Sequence, residues 1–359
     1  MLRRSVVLAA VCLLFATAAL AEDVAPKLDE YMSALTGAGR FSGSVLVARD
    51  GRALLAKGYG LANAEWDIPN SPGTKFRLGS LTKQFTALAI LQLEEKGKLK
   101  VEDPVCKYVA ECPPAWGKIT IHHLLTHTSG IPSFTSFPDY APTMNQRSPV
   151  SKTVERFKGK PLEFEPGEKF AYSNSGYVLL GYILEKVSEQ EYGEYLEQNV
   201  FGPLKMRNSG YDSAAAILKQ RAGGYMRRAG KLANALYIDM TVPHAAGALY
   251  STVEDLLLWD QALYTEKLVS KKSLDKIFTP FKSDYAYGWF VAKKLNRKYI
   301  GHAGGINGFS TMIERYPDDK VTVIVLSNVE GSAVGPAARD LAAIVFGEKY
   351  EMPAEPKKP

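Results

Sequence analysis

The segment Leu78-Gly79-Ser80-Leu81-Thr82-Lys83 sets a hydroxyl and an amine three residues apart at the opening of an apolar run. On a helix that spacing puts both groups on one face. A serine hydroxyl is a weak nucleophile and needs a base beside it; a lysine amine can be that base where burial or neighbouring cations disfavour the ammonium form. A helix start also leaves the Ser80 backbone N–H free to polarise a carbonyl oxygen. The same residues would equally serve a surface helix with Ser80 as its cap. Two later segments bear on the choice. Tyr172-Ser173-Asn174 follows Pro166-Gly167 and precedes a helical pattern, so a loop there could set a phenol and an amide carbonyl beside Ser80. His302-Ala303-Gly304-Gly305 ends a predicted strand, where glycines let a substrate approach the backbone and expose N–H groups. Together the three segments point to acyl transfer through a serine.

In this order the segments resemble the three-box pattern of the serine β-lactamase and penicillin-binding-protein superfamily: Ser-x-x-Lys, a Ser/Tyr-x-Asn loop, and Lys-Thr-Gly or a variant. The nearest likeness is to the branch holding class C β-lactamases, D-Ala-D-Ala carboxypeptidases, D-aminopeptidases and family VIII carboxylesterases. Leu124 to Gly130 is similar to that branch's LLTHTSG segment, and Phe164-Glu165-Pro166-Gly167 and the lead-in Phe76-Arg77-Leu78-Gly79 match as well. The likeness extends over roughly residues 25 to 347. It implies Ser80 as the acylated nucleophile, Lys83 as its proton acceptor and Tyr172 as the acid/base that serves leaving group and water. It further implies that Asn174 bonds Lys83 and substrate, that the N–H groups of Ser80 and Gly305 form the oxyanion hole, and that His302, Ala303 and Gly304 form the third box, His302 as a catalytic group and Ala303 and Gly304 as substrate-binding ones. Such donors contribute ~3 kcal/mol each to an acyl-transfer barrier. Phe134, with Phe137 and Tyr140, either lines an acyl pocket or simply packs its loop.

The third box departs from Lys-Thr-Gly. His302 replaces a permanent cation with a group mostly neutral near pH 7 unless a carboxylate raises it. Ala303 lacks the hydroxyl that members of the superfamily use to hold a substrate carboxylate, a loss of roughly 1.5–3 kcal/mol for a buried bond to a charge. An ester, or an amide without a terminal carboxylate, therefore suits the site better than a β-lactam or a peptide terminus. The expected function is an exported serine hydrolase of small esters, amides or peptides, with no metal and no organic cofactor. D-Ala-D-Ala carboxypeptidase, D-aminopeptidase or weak β-lactamase activity is the alternative, and a sensor acylated without turnover is the non-enzymatic one.

Several elements must hold these boxes in place. Val24 to Leu35 reads as a helix, and Ser44–Val47 and Ala53–Leu55 flank Asp50-Gly51, a hairpin signal. Helices are predicted from Ser80 to Gly97, Tyr177 to Val187 and Val253 to Tyr264. Tyr287 to Lys293, Tyr299 to His302, Phe309 to Tyr316 and Val321 to Ser327 read as antiparallel strands, and Ala337 to Phe346 as a last helix. The expected class is α+β and β-lactamase-like. An antiparallel sheet (about 22–75 and 280–350) is flanked by helices, an all-helical subdomain (about 76–279) is inserted, and the site lies between them.

Composition bounds the rest. The chain of 359 residues is 46% hydrophobic and 23% charged, which excludes a disordered or fibrous protein. A net charge of +6 without basic runs gives no reason to expect nucleic acid. Arg3, Arg4, an apolar stretch from Val6 and Ala19-Leu20-Ala21 read as a signal peptide over 1–21, so no stable membrane anchor is expected and the address is periplasmic or extracellular. Residues 351–359 read as a flexible tail. Cys106 and Cys112, separated by five residues, are either a disulfide favoured by an oxidising compartment or two buried thiols. His123 and His127 have the spacing of metal ligands on a helix, but no glutamate completes a His-Glu-x-x-His motif, and no metal is expected. His244 is expected to shape a loop near the cleft. An α/β-hydrolase is disfavoured because no serine has glycine both two before and two after it.

Overall fold

The Asp50-Gly51 turn joins β1 (Gly43–Arg49) to β2 (Arg52–Tyr59), as the hairpin signal requires. Both residues take positive φ, the conformation a tight right-twisted hairpin needs. The four late strands are β3 (Phe290–Lys294), β4 (Arg297–Ile306), β5 (Phe309–Tyr316) and β6 (Val321–Ser327). All pair antiparallel in the order β3-β4-β5-β6-β1-β2, so the first hairpin closes onto the last strand, with Gly43 opposite Ser327 and Val45 opposite Val325. The computed structural model describes residues 24–354. The signal peptide expected at 1–21 lies outside them, as does the end of the tail expected at 351–359.

Period two decides how the sheet is buried. Val45 and Val47 of β1, and Val321, Val323 and Val325 of β6, point into one core. Leu46 and Ala48, with Ile324 and Leu326, point into the other. A sheet apolar on both faces needs a layer on each side. The first layer is α1 (residues 24–37), with Leu28, Met32 and Leu35, and α5 (Val334–Phe346), with Ala338, Leu341 and Val345. The second, larger core is filled from the insertion by α2 (Thr82–Glu95), α3 (Asn174–Ser188) and α4 (Val253–Ala262). Twelve of the fourteen residues of α2 are buried, which makes it the axis of that half. Among the described residues no helix is long and apolar enough to cross a membrane.

The insertion is not all-helical, a correction to the expectation. Phe76–Arg77, Leu249–Ser251 and Gly210–Tyr211 form a three-stranded sheet, and Tyr225–Arg228 pairs with Lys231–Asn234. These strands are only two to four residues long, and those of the three-stranded sheet partner distant segments, so no local alternation announces them. Cys106 and Cys112 form a disulfide with Cα atoms 5.2 Å apart, and of the two readings left open the bonded one holds.

An ion pair bolts the two halves together. The guanidinium of Arg315 on β5 bonds the carboxylate of Asp260 on α4, with the two side chains 1% and 0% exposed. Thr322 Oγ1 on β6 donates to the other carboxylate oxygen at 2.8 Å, and Arg315 Nη2 reaches the Asp260 carbonyl at 3.3 Å. Asp260→Ala would leave a buried cation without its partner, at a cost of about 3–5 kcal/mol in urea unfolding. Asp260→Leu combined with Arg315→Met should recover most of that loss. A double variant as unstable as the single one would show that the pair's geometry, and not the orphaned charge, carries the penalty.

Candidate active site

Ser80 sits in a single 3₁₀ turn, Gly79–Leu81, that leads directly into α2. The turn packs on β4 so closely that side chains are excluded from both surfaces. A Cβ on Gly79, whose φ is +54°, would lie 2.9 Å from backbone atoms of Gly305. One on Gly304 would lie 2.1 Å from the Leu78 carbonyl oxygen, which already accepts a 2.7 Å bond from Thr311 Oγ1 on β5. Gly304 is therefore buried and acts as a spacer between serine turn and strand, and the expectation that it binds substrate is corrected. Along β4 the faces alternate: His302 and Gly304 are buried, Ala303 and Gly305 exposed.

Lys83, one helical turn beyond Ser80, is fully buried. Its Nζ lies 3.1 Å from Ser80 Oγ, 2.9 Å from Asn174 Oδ1 and 2.8 Å from the Ala246 carbonyl. No carboxylate is among these partners, and burial lowers its pKa well below 10.5. A neutral amine has two N–H bonds and one lone pair. The two carbonyls, which can only accept, take both N–H bonds, and the lone pair is left facing the Ser80 hydroxyl. This arrangement can take a proton from the serine. The rings of Tyr172 and Tyr177, with centroids 4.9 and 5.4 Å from Nζ, then offer their faces to the ammonium so formed.

Asn174 is the first residue of α3, where its backbone N–H donates to Ser133 Oγ and its Nδ2 to Thr135 Oγ1, both at 3.1 Å. These bonds fix which end of the amide meets Lys83. Tyr172, 36% exposed, bonds Ser80 through its hydroxyl. Burial raises the phenol's pKa and the bond to Ser80 lowers it, with burial the larger effect. Tyr172 is thus a neutral phenol, able to donate a proton, beside an amine whose burial favours the form able to accept one.

His302 departs from the expectation of a direct catalytic part. Its Nδ1–H donates to the Ala303 carbonyl at 2.6 Å and its Nε2 accepts from Tyr285 Oη at 3.1 Å, so both nitrogens are engaged. Burial, then the nearby Lys83, lower its pKa to about 3. It packs beside Tyr172 with ring centroids 6.1 Å apart and supports that ring as a neutral group.

His127 holds the same tyrosine from the other side. The Ala171 N–H donates to the His127 carbonyl at 2.9 Å and the Ser173 N–H to His127 Nδ1 at 3.1 Å, bracketing Tyr172 between them. The imidazole lies 4.2 Å from the Tyr172 ring. His123 Nδ1 is occupied elsewhere, accepting from Thr120 N–H in a helix cap, so the His123/His127 spacing serves two separate local structures. Of the groups that bear on this site, Thr135, Ala246, Tyr285 and the bracketing part of His127 escaped the sequence reading. Backbone carbonyls and distant hydroxyls carry no spacing signal, and only LLTHTSG itself hinted at His127. His244 opens the short helical turn His244–Gly247 that presents the Ala246 carbonyl to Lys83.

The cleft in front of Ser80 encloses about 460 Å³. Phe134, Tyr140, Thr135 and Asn174 form one wall, Gly305, Ile306, Phe309 and Ser310 another, and Pro243, Ala246 and Gly247 the floor. Of the two readings left open for the aromatic loop, Phe134 and Tyr140 line the cleft and Phe137 does not.

The Beta-lactamase family model matches residues 27–346. The chain belongs to the Beta-lactamase family. Its members are serine hydrolases of the β-lactamase and penicillin-binding-protein fold. Within the family, the chain is 33% identical over 345 residues to Penicillin-binding protein 4* of Bacillus subtilis, covering 88% of this chain and 75% of that protein. The solved octameric penicillin-binding protein homologue from Pyrococcus abyssi superposes with a TM-score of 0.80 at 32% identity, over 90% of this chain and 78% of that one. D-amino acid amidase from Ochrobactrum anthropi shares the fold, with a TM-score of 0.79 at 22% identity over 90% and 98% of the two chains.

Three buried histidines make the fold acid-sensitive. His127, His244 and His302 are 1%, 6% and 3% exposed. Burial holds His244 and His302 near pKa 3 and His127 well below 6.5. A depressed folded-state pKa means that the unfolded chain binds more protons, so stability falls as pH drops from 6.5 towards 3, by about 1.4 kcal/mol per pH unit for each histidine. Urea midpoints should fall steeply between pH 6.5 and 5. His244→Asn, tolerated at this residue's φ of +39°, should make that slope shallower. An unchanged slope would mean that His244 does not contribute.

Proposed function

We propose that the protein is an exported hydrolase that forms an acyl-enzyme on Ser80 and acts on small esters, or on amides and peptides lacking a terminal carboxylate. The observation that carries this is the fully buried Lys83 amine, set 3.1 Å from Ser80 Oγ with only the Asn174 and Ala246 carbonyls as its other partners and no carboxylate beside it. Ser80 Oγ attacks the carbonyl carbon as its proton passes to Lys83 Nζ. The carbonyl electrons move onto oxygen, held by the N–H groups of Ser80 and Gly305. On collapse, Tyr172 protonates the leaving alcohol or amine and recovers a proton from the Lys83 ammonium. Water then repeats the sequence in reverse roles, releasing the acid and restoring Ser80.

The preference within this chemistry rests on the third box. Ala303 faces solvent beside Gly305 without a hydroxyl; of the nearby basic groups, His302 is held neutral by burial and Lys83 has its ammonium form disfavoured by burial. A substrate carboxylate would find little to hold it there. Export is supported by the Cys106–Cys112 disulfide, which suits an oxidising compartment.

Residues 22–359 should hydrolyse p-nitrophenyl butyrate faster than a chromogenic cephalosporin, with both activities lost in Ser80→Ala. A cephalosporin turned over as fast as the ester would overturn the substrate preference. A stable Ser80 adduct without release would identify a sensor. Because the base must be unprotonated, kcat/KM should rise with pH as Lys83 loses its proton, and the rise should be complete well below 10.5, the ordinary lysine value. A limb still climbing at that pH would mean that Lys83 is an ammonium at rest.

A further inference from the structure

Of the residues lining the cleft in front of Ser80, only Glu330 carries a charged side chain. It lies just past the end of β6 and is exposed. Its backbone is tied down by the bond from its N–H to the Tyr225 carbonyl at 2.8 Å. Its carboxylate is held through one oxygen, Oε2, which accepts from the Gly308 N–H at 3.2 Å. Neither carboxylate oxygen has an ion-pair partner among the described residues, and Oε1 has no hydrogen-bond donor there. The neighbouring Gly331 N–H donates to Ser310 Oγ at 3.0 Å, which fixes the segment against the wall that also carries Gly305. Behind this wall, Arg77 lies against the Phe309 ring and is paired with the fully buried carboxylate of Asp212 at 2.7 Å.

The rest of the lining matches this charge. Phe134, Tyr140 and Phe309 contribute aromatic rings. No basic side chain is among the described residues lining the cleft; behind it, burial holds His302 near pKa 3 and disfavours the ammonium form of Lys83. A fixed carboxylate, aromatic rings and no opposing positive charge form a receptor for an organic cation. We propose that Glu330 is a specificity-determining residue, and that the substrates of this site carry an ammonium or quaternary ammonium group lying along the wall formed by residues 305–310. The inference builds on the hydrolase reading above and names its substrate class. Glu330 neither touches the reacting carbonyl nor transfers a proton; it selects by charge.

An isosteric pair tests this: butyrylcholine, and 3,3-dimethylbutyl butyrate, in which carbon replaces the cationic nitrogen. Binding of each to Ser80→Ala is measured by calorimetry at low ionic strength, and hydrolysis of each by the intact enzyme. The cationic ester should bind about tenfold more tightly, as expected of a partly exposed charge pair with aromatic support. The ratio should collapse towards one in Ser80→Ala/Glu330→Gln and invert in Ser80→Ala/Glu330→Lys, with circular dichroism confirming that both variants fold. A ratio near one before substitution, or one that neither substitution moves, overturns the proposal. If the Glu330-dependent ratio appears but the intact enzyme cleaves neither ester, the cation site stands and the hydrolase reading falls.

Discussion

The structure is organised around an amine that must be kept out of water. Charged, Lys83 would pay heavily for complete burial with no carboxylate beside it; neutral, it fits the three groups around it and becomes a base. Each group comes from a different part of the chain. Ser80 comes from the turn before α2, Asn174 from the start of α3 and Ala246 from the loop ahead of α4. Any opening between these elements would admit water and restore the ammonium. The dense packing of α2, the glycines that let the serine turn sit on β4, and the Arg315–Asp260 bolt all act against such an opening.

His302 fits the same logic. A lysine at the head of the third box would place a second cation beside this amine, whereas a neutral imidazole braced between Tyr285 and the Ala303 carbonyl gives a support without a field. Tyr172 then remains a phenol, and the division of labour between base and acid is set by burial.

Much of this architecture could be read from the residues alone, for identifiable reasons. Strands β5 and β6 match the predicted bounds, because β-branched and aromatic residues are frequent in both and the sharp turn at Pro317-Asp318-Asp319 separates them. The Asp50-Gly51 hairpin and the helix after Ser80 carry equally local signals. The short strands at Phe76–Arg77, Gly210–Tyr211 and Leu249–Ser251 do not, since each exists only through its partner. In the site, Ser80, Lys83, Tyr172 and Asn174 stood out as side-chain types at fixed offsets. Ala246 contributes a carbonyl that any residue would supply, and Glu330 is one acid among many until the fold sets it at the cleft. In the sequence Gly304 reads as a contact for substrate, because a glycine's openness and a glycine's closeness look alike there.

The pairing of β1 with β6 also bears on time. Gly43 meets Ser327, so the sheet closes only when strands from opposite ends of the chain find each other, and β4, which backs the serine turn, is held in that same sheet. Contacts of such long sequence separation form slowly and late, after the loop between them has been ordered. Hydrolytic competence is therefore a property acquired by the whole chain at once: a growing polypeptide that has already folded α2 and α3 carries the serine, the lysine and the asparagine, yet has no third wall against which to hold a substrate.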